Sequence, residues 1–540
     1  MDHPTQHNSS VAIGHAPASA RRFVAPLIPV CAITIVGLSH LFRVGLIDDT
    51  YIFLRYARNL AEGNGPVFNV GERVEGFSSP LWTLLLGLTG FLGVDLEIAA
   101  RVLGLLCGIG VVSMLTYGIY RRTNLGRLDI AILGIGLASS PALVFWSASG
   151  MDAPLFLLFV TASFVSALGD RRCDDPLSLR TATMLALATL TRPEGVLVSC
   201  YIGVFFLLER RRVRSLVLYG VVVGIMLVAR LAYFGSWVPN TYYAKVTFDL
   251  SRRIVDGASY ILPAFGMHSV LLALVIAVLS MAWKRRVMDV GAIAFLGGWA
   301  VMWSGYVSYV GGDNFSFFRF LLPAMPALTL LFAHAWSAIR TSVGPGGRWA
   351  CPAMLLLGFV FCHVLTYRSQ ADYYLGDQRL ASAWSKVGRW IDRETPRHTV
   401  IATIVPGALG YFGRRPTIDM LGLTDRQVAT RGHVFPHAVH GHARFNTDYI
   451  FERHPDIVIY HSSGRFSEKR YTDTIPQEHG YALYDFVHDA RCSERYEYGS
   501  VRLSDGTWVE MQKKLERTSD VAQPVNPRVA NASLSAPEPR

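Results

Sequence analysis

The sequence predicts a polytopic α-helical membrane protein that carries a soluble α/β domain toward its C-terminal end. Three observations lead there. Of the 540 residues, 51% are hydrophobic and only 17% charged, and the mean hydropathy of +0.31 is too high for a soluble chain of this length. Long apolar segments recur as far as Tyr367, separated by short basic or motif-bearing loops. Beyond Tyr367 charge and histidine rise, and the apolar runs shorten to strand length.

The elements follow in order. Residues 1–20 and 517–540 are Ser/Ala/Pro/Asn-rich without apolar periodicity and are predicted to be disordered tails, the first one cytoplasmic. Residues 21–367 form the transmembrane domain, with an outer loop over 42–97. Its first apolar run, Phe23 to about Leu41, follows Arg21-Arg22 and has no small-x-small cleavage site after it, so it reads as an uncleaved span. Further apolar segments near 98–120, 129–146, 153–169, 179–191, 194–208, 216–234, 262–282, 288–310, 320–339 and 350–367 bring the expectation to about eleven spans. Residues 80–91 are apolar but short, and read as interfacial or re-entrant.

With that count the clusters Arg21-Arg22, Arg121-Arg122, Arg171-Arg172, Arg210-Arg211-Arg212, Lys284-Arg285-Arg286 and Arg340 with Arg348 fall on one side, which the positive-inside rule makes the cytoplasm. The same clustering explains the net charge of +11 as loop orientation and argues against a nucleic-acid partner. An odd number of spans places the α/β domain, 368–516, on the outer side of the membrane. Most of the seven cysteines lie in or beside apolar runs, so no disulfide framework is expected in that domain. No internal repeat is visible.

The polar motifs gather on the outer side. Asp48-Asp49 open a short amphipathic helix with Phe53, Tyr56 and Leu60 on one face and Tyr51, Arg55 and Arg58 on another, predicted to lie flat on the membrane. A carboxylate there can take a proton from an attacking hydroxyl, and Arg55 and Arg58 can hold an anionic leaving group such as phosphate. The plainer reading is an N-cap plus a favourable helix-dipole contact. Glu72, Arg73 and Glu75 precede Phe77 and Trp82, as a substrate contact or as a charged loop with an interfacial anchor. Arg192 and Glu194 flank Pro193 between two short apolar segments; Arg192 either binds a lipid phosphate that Glu194 orients, or the two form an ion pair that pins helices.

Lys245, after Asn240, Tyr242 and Tyr243, either meets phosphate or snorkels to the interface, with the tyrosines as a sugar or isoprenoid platform. Asp152 faces substrate or caps the next span, and Asp313, in Gly311-Gly312-Asp313-Asn314 with Arg319 nearby, contacts a ligand or completes a turn. His433, His437, His440 and His442 invite a zinc reading, but neither a nearby cysteine nor a His-Glu-x-x-His helix accompanies them. They read as a substrate-facing polar loop. No cofactor is expected, with a divalent metal left open.

The run from Asp48 to Glu75, DDTYIFLRYARNLAEGNGPVFNVGERVE, resembles the first outer loop of the terminal β-(1→2)-arabinofuranosyltransferases of mycobacterial cell-wall synthesis, which are C-type, polyprenyl-phosphate-sugar-dependent glycosyltransferases. Patches of resemblance continue at 146–155, 191–195, 239–245, 311–323 and 406–460. The resemblance implies that Asp48 and Asp49 stand where such enzymes keep their catalytic carboxylates; Asp152 departs from it, standing where the related pattern usually has Glu. It implies transfer of one sugar, arabinofuranose, from a polyprenyl-phosphate donor to an envelope glycan or protein, with membrane lipid around the chain. A C-type transferase using a hexose donor, or a transporter of lipid-linked sugar, is the competing reading. Arg192, Lys245 and Arg319 are candidates for the donor phosphate on chemical grounds.

Overall fold

In a computed structural model, the described residues are 18–173, 175–246, 249–284, 290–340, 347–438, 441–463 and 477–515. The expected tail 517–540, most of the tail 1–20, and His440 lie outside them.

Helix α1 (Ala18–Leu41) leads through a short turn into α2 (Asp48–Ala61) and α3 (Pro80–Phe91). The bundle continues with α4 (Leu96–Arg122), α5 (Arg127–Ala138), α6 (Pro141–Ala148), α7 (Ala153–Arg172), α8 (Leu179–Thr191), α9 (Gly195–Leu208) and α10 (Leu216–Phe234). It is completed by α11 (Asn240–Lys245), α12 (Leu250–Met267), α13 (Ser269–Lys284), α14 (Val290–Val310), a 3-10 helix (Ser316–Ala324), α15 (Met325–Arg340) and α16 (Gly347–Glu394). Local chemistry sets several ends: the side chains of Asp95, Ser178 and Asp249 accept backbone N–H groups at the starts of α4, α8 and α12.

Seven helices among the described residues are long and apolar enough to cross a membrane, or up to nine if the bent pairs α5–α6 and α12–α13 each count once. Each of the expected apolar segments carries a helix. The two beyond those nine are α8 and α9, of 13 and 14 residues, short of the about 20 that a bilayer core requires. Nine and eleven are both odd, so either count puts the two ends of the bundle on opposite faces. Helix α16, at 48 residues, is about 70 Å long and extends well past a membrane's thickness.

That extension supports the C-terminal sheet. Strands β1 (Ile401–Thr403), β2 (Thr417–Asp419), β5 (Ile457–Ser463), β6 (Tyr496–Arg502) and β7 (Trp508–Lys514) form one mixed sheet in the order β2-β1-β5-β7-β6. β1 is parallel to β2 and β5, while β7 is antiparallel to β5 and β6. The strand-like runs at 399–402 and 456–460 thus become β1 and β5. A small β3 (His433–Val434) and β4 (Arg444–Phe445) ladder and the helices α17 (Gly407–Gly413), α18 (Arg426–Arg431), α19 (Thr447–Glu452), α20 (Gln477–His488) and α21 (Ala490–Arg495) surround it.

Alternation along the strands divides the core. Ile401, Ile457 and Ile459 join a hydrophobic cluster continuous with the helical bundle, whereas Ala402 and Val458 face a second cluster with Ile450, Phe451, Leu483 and Phe486. Helix α2 is not open to water on its polar face as its pattern suggests. Tyr51, Phe53, Leu54, Arg55, Tyr56 and Ala57 are all buried, because α2 is enclosed by α3, α17 and neighbouring helices. Amphipathicity identifies a helix with two chemistries, and here the polar face is covered by the C-terminal region rather than by water.

Reporters fused ahead of Ala18 and after Lys514 should label opposite faces of the membrane in a protease-protection assay. Labelling of one face by both would require an even number of crossings.

Candidate active site

Neither first-loop aspartate caps its own helix. The N-cap of α2 is Ile47, and the Asp48 carboxylate instead accepts the backbone N–H groups of Gly407 (3.2 Å) and Ala408 (2.8 Å) at the start of α17. Position 407 has to be glycine, since a Cβ there would run into the backbone oxygen and carboxylate of Asp48. Loss of water pushes the Asp48 pKa up to about 7; the Ala408 N–H pulls it down and the Asp49 charge raises it further. Asp49 is half-buried and makes no hydrogen bond or ion pair among the described residues.

Asp377, on α16, was not foreseen. It is half-buried, and desolvation together with the charges of Asp49 and Asp313 pushes its pKa up to about 6. Asp313 pairs with the buried Arg319 through Nε–Oδ2 (2.8 Å) and Nη2–Oδ1 (3.1 Å). The Arg319 guanidinium lies 5.0 Å from the Trp146 ring and 5.4 Å from Phe320. Arg192 shares Phe320, at 5.6 Å, and bonds Asp152 (3.2 Å) and Glu194 (3.2 Å). Asp152 therefore neutralises Arg192 and does not cap α7 with its side chain. Electrostatic neighbours run unbroken from Asp48 and Asp49 through Asp377 and Asp313 to Arg319, Glu194 and Arg192.

Several other expected ligands hold the framework. Arg55 donates to Phe68 O, Gly410 O, Thr417 Oγ1, Asn69 Oδ1 and Arg415 O at 2.7–3.0 Å. A guanidinium has five N–H groups, so none remains for phosphate, and the expected donor role of Arg55 is corrected to a structural one. Arg58 donates to Tyr411 O at 2.6 Å and lies over its ring. Glu75 forms a buried, two-point pair with Arg230 of α10 (2.7 and 3.1 Å), a partner the sequence did not single out because it sits inside an apolar run. Asn240 Nδ2 donates to the carbonyls of Gly422, Leu423 and Asp425, and Trp82 donates its indole N–H to Gly150 O at 3.2 Å. Thr50 Oγ1 adds a bond to Ser149 O at 2.8 Å.

Lys245 is half-buried and has no hydrogen bond or ion pair among the described residues; Tyr242 is exposed and packs edge-on to Tyr243. His433 packs on Phe445 and His437 on Phe435, and no group of metal-ligating residues occurs among the described residues.

An apolar cavity of about 270 Å³ lies between α5, α12, α13, α15 and α16, lined by Phe265, Phe317, Phe318, Leu322, Phe332 and Phe359, and two of these, Phe317 and Phe318, immediately precede Arg319 in the chain. Phe317 and Phe318 adopt φ of +58° and +50°, a conformation costly for bulky side chains. The turn is held by the Phe317 N–H, donated to Gln370 Oε1 (3.2 Å), and by stacking of Phe317 on Phe145 at 4.2 Å.

The fold is that of the C-type membrane glycosyltransferases. The crystal structure of ArnT from Cupriavidus metallidurans bound to undecaprenyl phosphate superposes with a TM-score of 0.55 at 13% identity, over 92% of this chain and 98% of that one. The apo state of ArnT gives 0.50 at 14% identity over the same shares. In sequence the chain is similar to the terminal β-(1→2)-arabinofuranosyltransferase of Mycobacterium tuberculosis, 32% identical over 225 residues, covering 38% of this chain and 35% of that protein. The enzyme of the same name from Corynebacterium glutamicum is 32% identical over 242 residues, covering 38% and 34%. The chain thus matches about a third of the length of these curated relatives. Residues 369–511 match a family described as a domain of unknown function (DUF8728).

Two outcomes are expected. Asp48 has a folded pKa of about 7 against an ordinary 3.8, so between those values the folded state holds the extra proton. Its contribution to stability is therefore greatest in acid and is lost as pH rises through about 7. Melting temperatures of the parent should reflect that slope, and Asp48→Asn should reduce it. Arg55→Lys should destabilise by about 2–4 kcal/mol, since a lysine cannot satisfy the buried carbonyls that the fork holds, as a detergent melt would read.

Proposed function

We propose that this chain is a membrane glycosyltransferase that moves one sugar, an arabinofuranose, from a polyprenyl-phosphate donor to a hydroxyl of an envelope glycan or protein. The transfer occurs on the outer side of the cytoplasmic membrane, where the C-terminal domain also lies. The observation that carries this reading is the run of neighbouring charges from the Asp48-Asp49 end of α2 to the Arg319–Arg192 pair, together with an apolar cavity whose wall includes Phe317 and Phe318, the residues just before Arg319. Carboxylates for a hydroxyl, cations for a phosphate and an apolar space for a lipid chain are the three requirements of such a transfer. The curated relatives support the sugar, and the undecaprenyl phosphate bound to ArnT supports the donor class.

The roles follow from which groups are already engaged. Asp49, without a protein partner, accepts the proton of the acceptor hydroxyl as its oxygen bonds the anomeric carbon. The bond from that carbon to the phosphate oxygen breaks, and the lipid phosphate leaves with the electron pair. Arg319 and Arg192, balanced by Asp313, Asp152 and Glu194, stabilise the charge that grows on the departing phosphate. Lys245 stands as a further cation for the same phosphate, and Tyr242 and Tyr243 as a platform for sugar or isoprenoid. Asp48 holds α17 in place and thereby closes the site from the C-terminal side.

Asp49→Asn should keep the parent melting temperature and lose about 10²–10⁴-fold in transfer rate, the usual value of positioned proton transfer. Turnover near the parent's would remove Asp49 from the reaction. Mass spectrometry of envelope glycans and surface proteins with and without the chain should show a lost pentose. Loss of a hexose instead would overturn arabinose as the sugar.

A further inference from the structure

We propose that Trp146 and Asp377 contact the donor directly: the Trp146 indole N–H donates to a phosphate oxygen, and the Asp377 carboxylate accepts a hydroxyl of the sugar being transferred. This rests on the glycosyltransferase reading above and extends it to two residues that the sequence motifs do not mark.

Trp146 lies in the last turn of α6 and is fully buried, yet its indole nitrogen has no hydrogen-bond partner. Buried indole N–H groups are ordinarily satisfied, and four other buried tryptophans of the bundle obey that rule. Trp82 donates to Gly150 O, Trp299 to Pro323 O, Trp303 to Phe320 O and Trp336 to Asp129. Trp384, farther along α16, is also unpaired, but Trp146 differs from it in location. Its ring lies 5.0 Å from the Arg319 guanidinium and stands edge-on to Phe315 and Tyr374. An N–H donor left open beside a buried cation suits an anionic oxygen.

Asp377 is the complementary case. It lies on the face of α16 that also carries Gln370, Tyr374 and Gln378. Gln370 accepts the Phe317 N–H, Tyr374 donates to Gly45 O (2.8 Å) and Gln378 donates to Arg43 O (2.9 Å). Asp377 alone of these four has no hydrogen bond among the described residues, and its charged neighbours are the carboxylates of Asp49 and Asp313. Two routes join it to Trp146: Tyr374, one turn before it, whose ring meets that of Trp146, and its neighbour Asp313, whose partner Arg319 lies 5.0 Å from the Trp146 ring. Of these three carboxylates only Asp313 has a cation among the described residues, Arg319, so Asp49 and Asp377 need hydrogen-bond donors. Sugar hydroxyls supply these, just as a phosphate supplies the acceptor that Trp146 lacks. The two open groups together are complementary to the two halves of a glycosyl phosphate.

The test measures affinity of the full-length chain in detergent for two lipids, a sugar-free polyprenyl phosphate and the same lipid phosphate carrying the pentose. Trp146→Phe keeps a ring under Arg319 and removes the N–H; it should weaken both lipids about tenfold or more, with Trp146→Tyr as a second variant should the first not fold. Asp377→Asn should leave the sugar-free lipid bound as well as before or more tightly, because a negative charge near phosphate is gone, while weakening the glycosylated lipid about tenfold. Asp377→Glu should recover part of that loss. Parent-like affinity for both lipids in folded Trp146 variants, or equal effects of Asp377→Asn on the two lipids, would overturn the proposal while leaving the transferase reading intact. A parent chain that binds neither lipid would overturn both.

Discussion

Everything at the polar end of this protein depends on one constraint, that a charge removed from water must have a partner. Helix α2 carries Asp48 and Arg55 into the space between the bundle and the C-terminal sheet, where neither could remain alone. Asp48 finds two backbone N–H groups at the start of α17, and Arg55 finds carbonyls and side-chain oxygens from the first loop and from residues 410–417. These bonds hold the first loop, the bundle and the C-terminal region in one register. Glycine at 407 and 410 makes the approach possible, since a side chain at either would meet Asp48 or Arg55.

The same constraint separates fully engaged residues from open ones. Glu75 with Arg230 and Asn240 with three carbonyls are fully engaged, and they stiffen the walls. Arg192 and Arg319 are engaged with carboxylates but also sit against aromatic faces. Asp49, Asp377 and Lys245 remain without protein partners among the described residues, and open groups of this kind are where a substrate gains its hydrogen bonds. Backbone strain is placed in the same region: the left-handed Phe317–Phe318 turn joins the cavity wall to Arg319 and is held by Gln370 of α16.

Sequence by itself determined the elements whose signals are local. Apolar length set the bundle helices, short apolar runs of strand length located β1 and β5, and the short amphipathic run over 48–60 became α2 nearly to the residue. It also brought Asp48, Asp49, Asp152, Arg192, Glu194, Asp313 and Arg319 into consideration, because carboxylates and guanidiniums beside apolar spans are costly wherever they occur. What only the tertiary structure decided is which partner each charge has. The Arg55 bonds reach across more than 350 residues of chain, Arg230 lies hidden in an apolar helix until Glu75 meets it, and Asp377 and Trp146 have no motif around them. Periodicity records which face of an element is apolar. It carries no record of the distant group that satisfies a buried charge, since that pairing is set by where the folded elements come to rest.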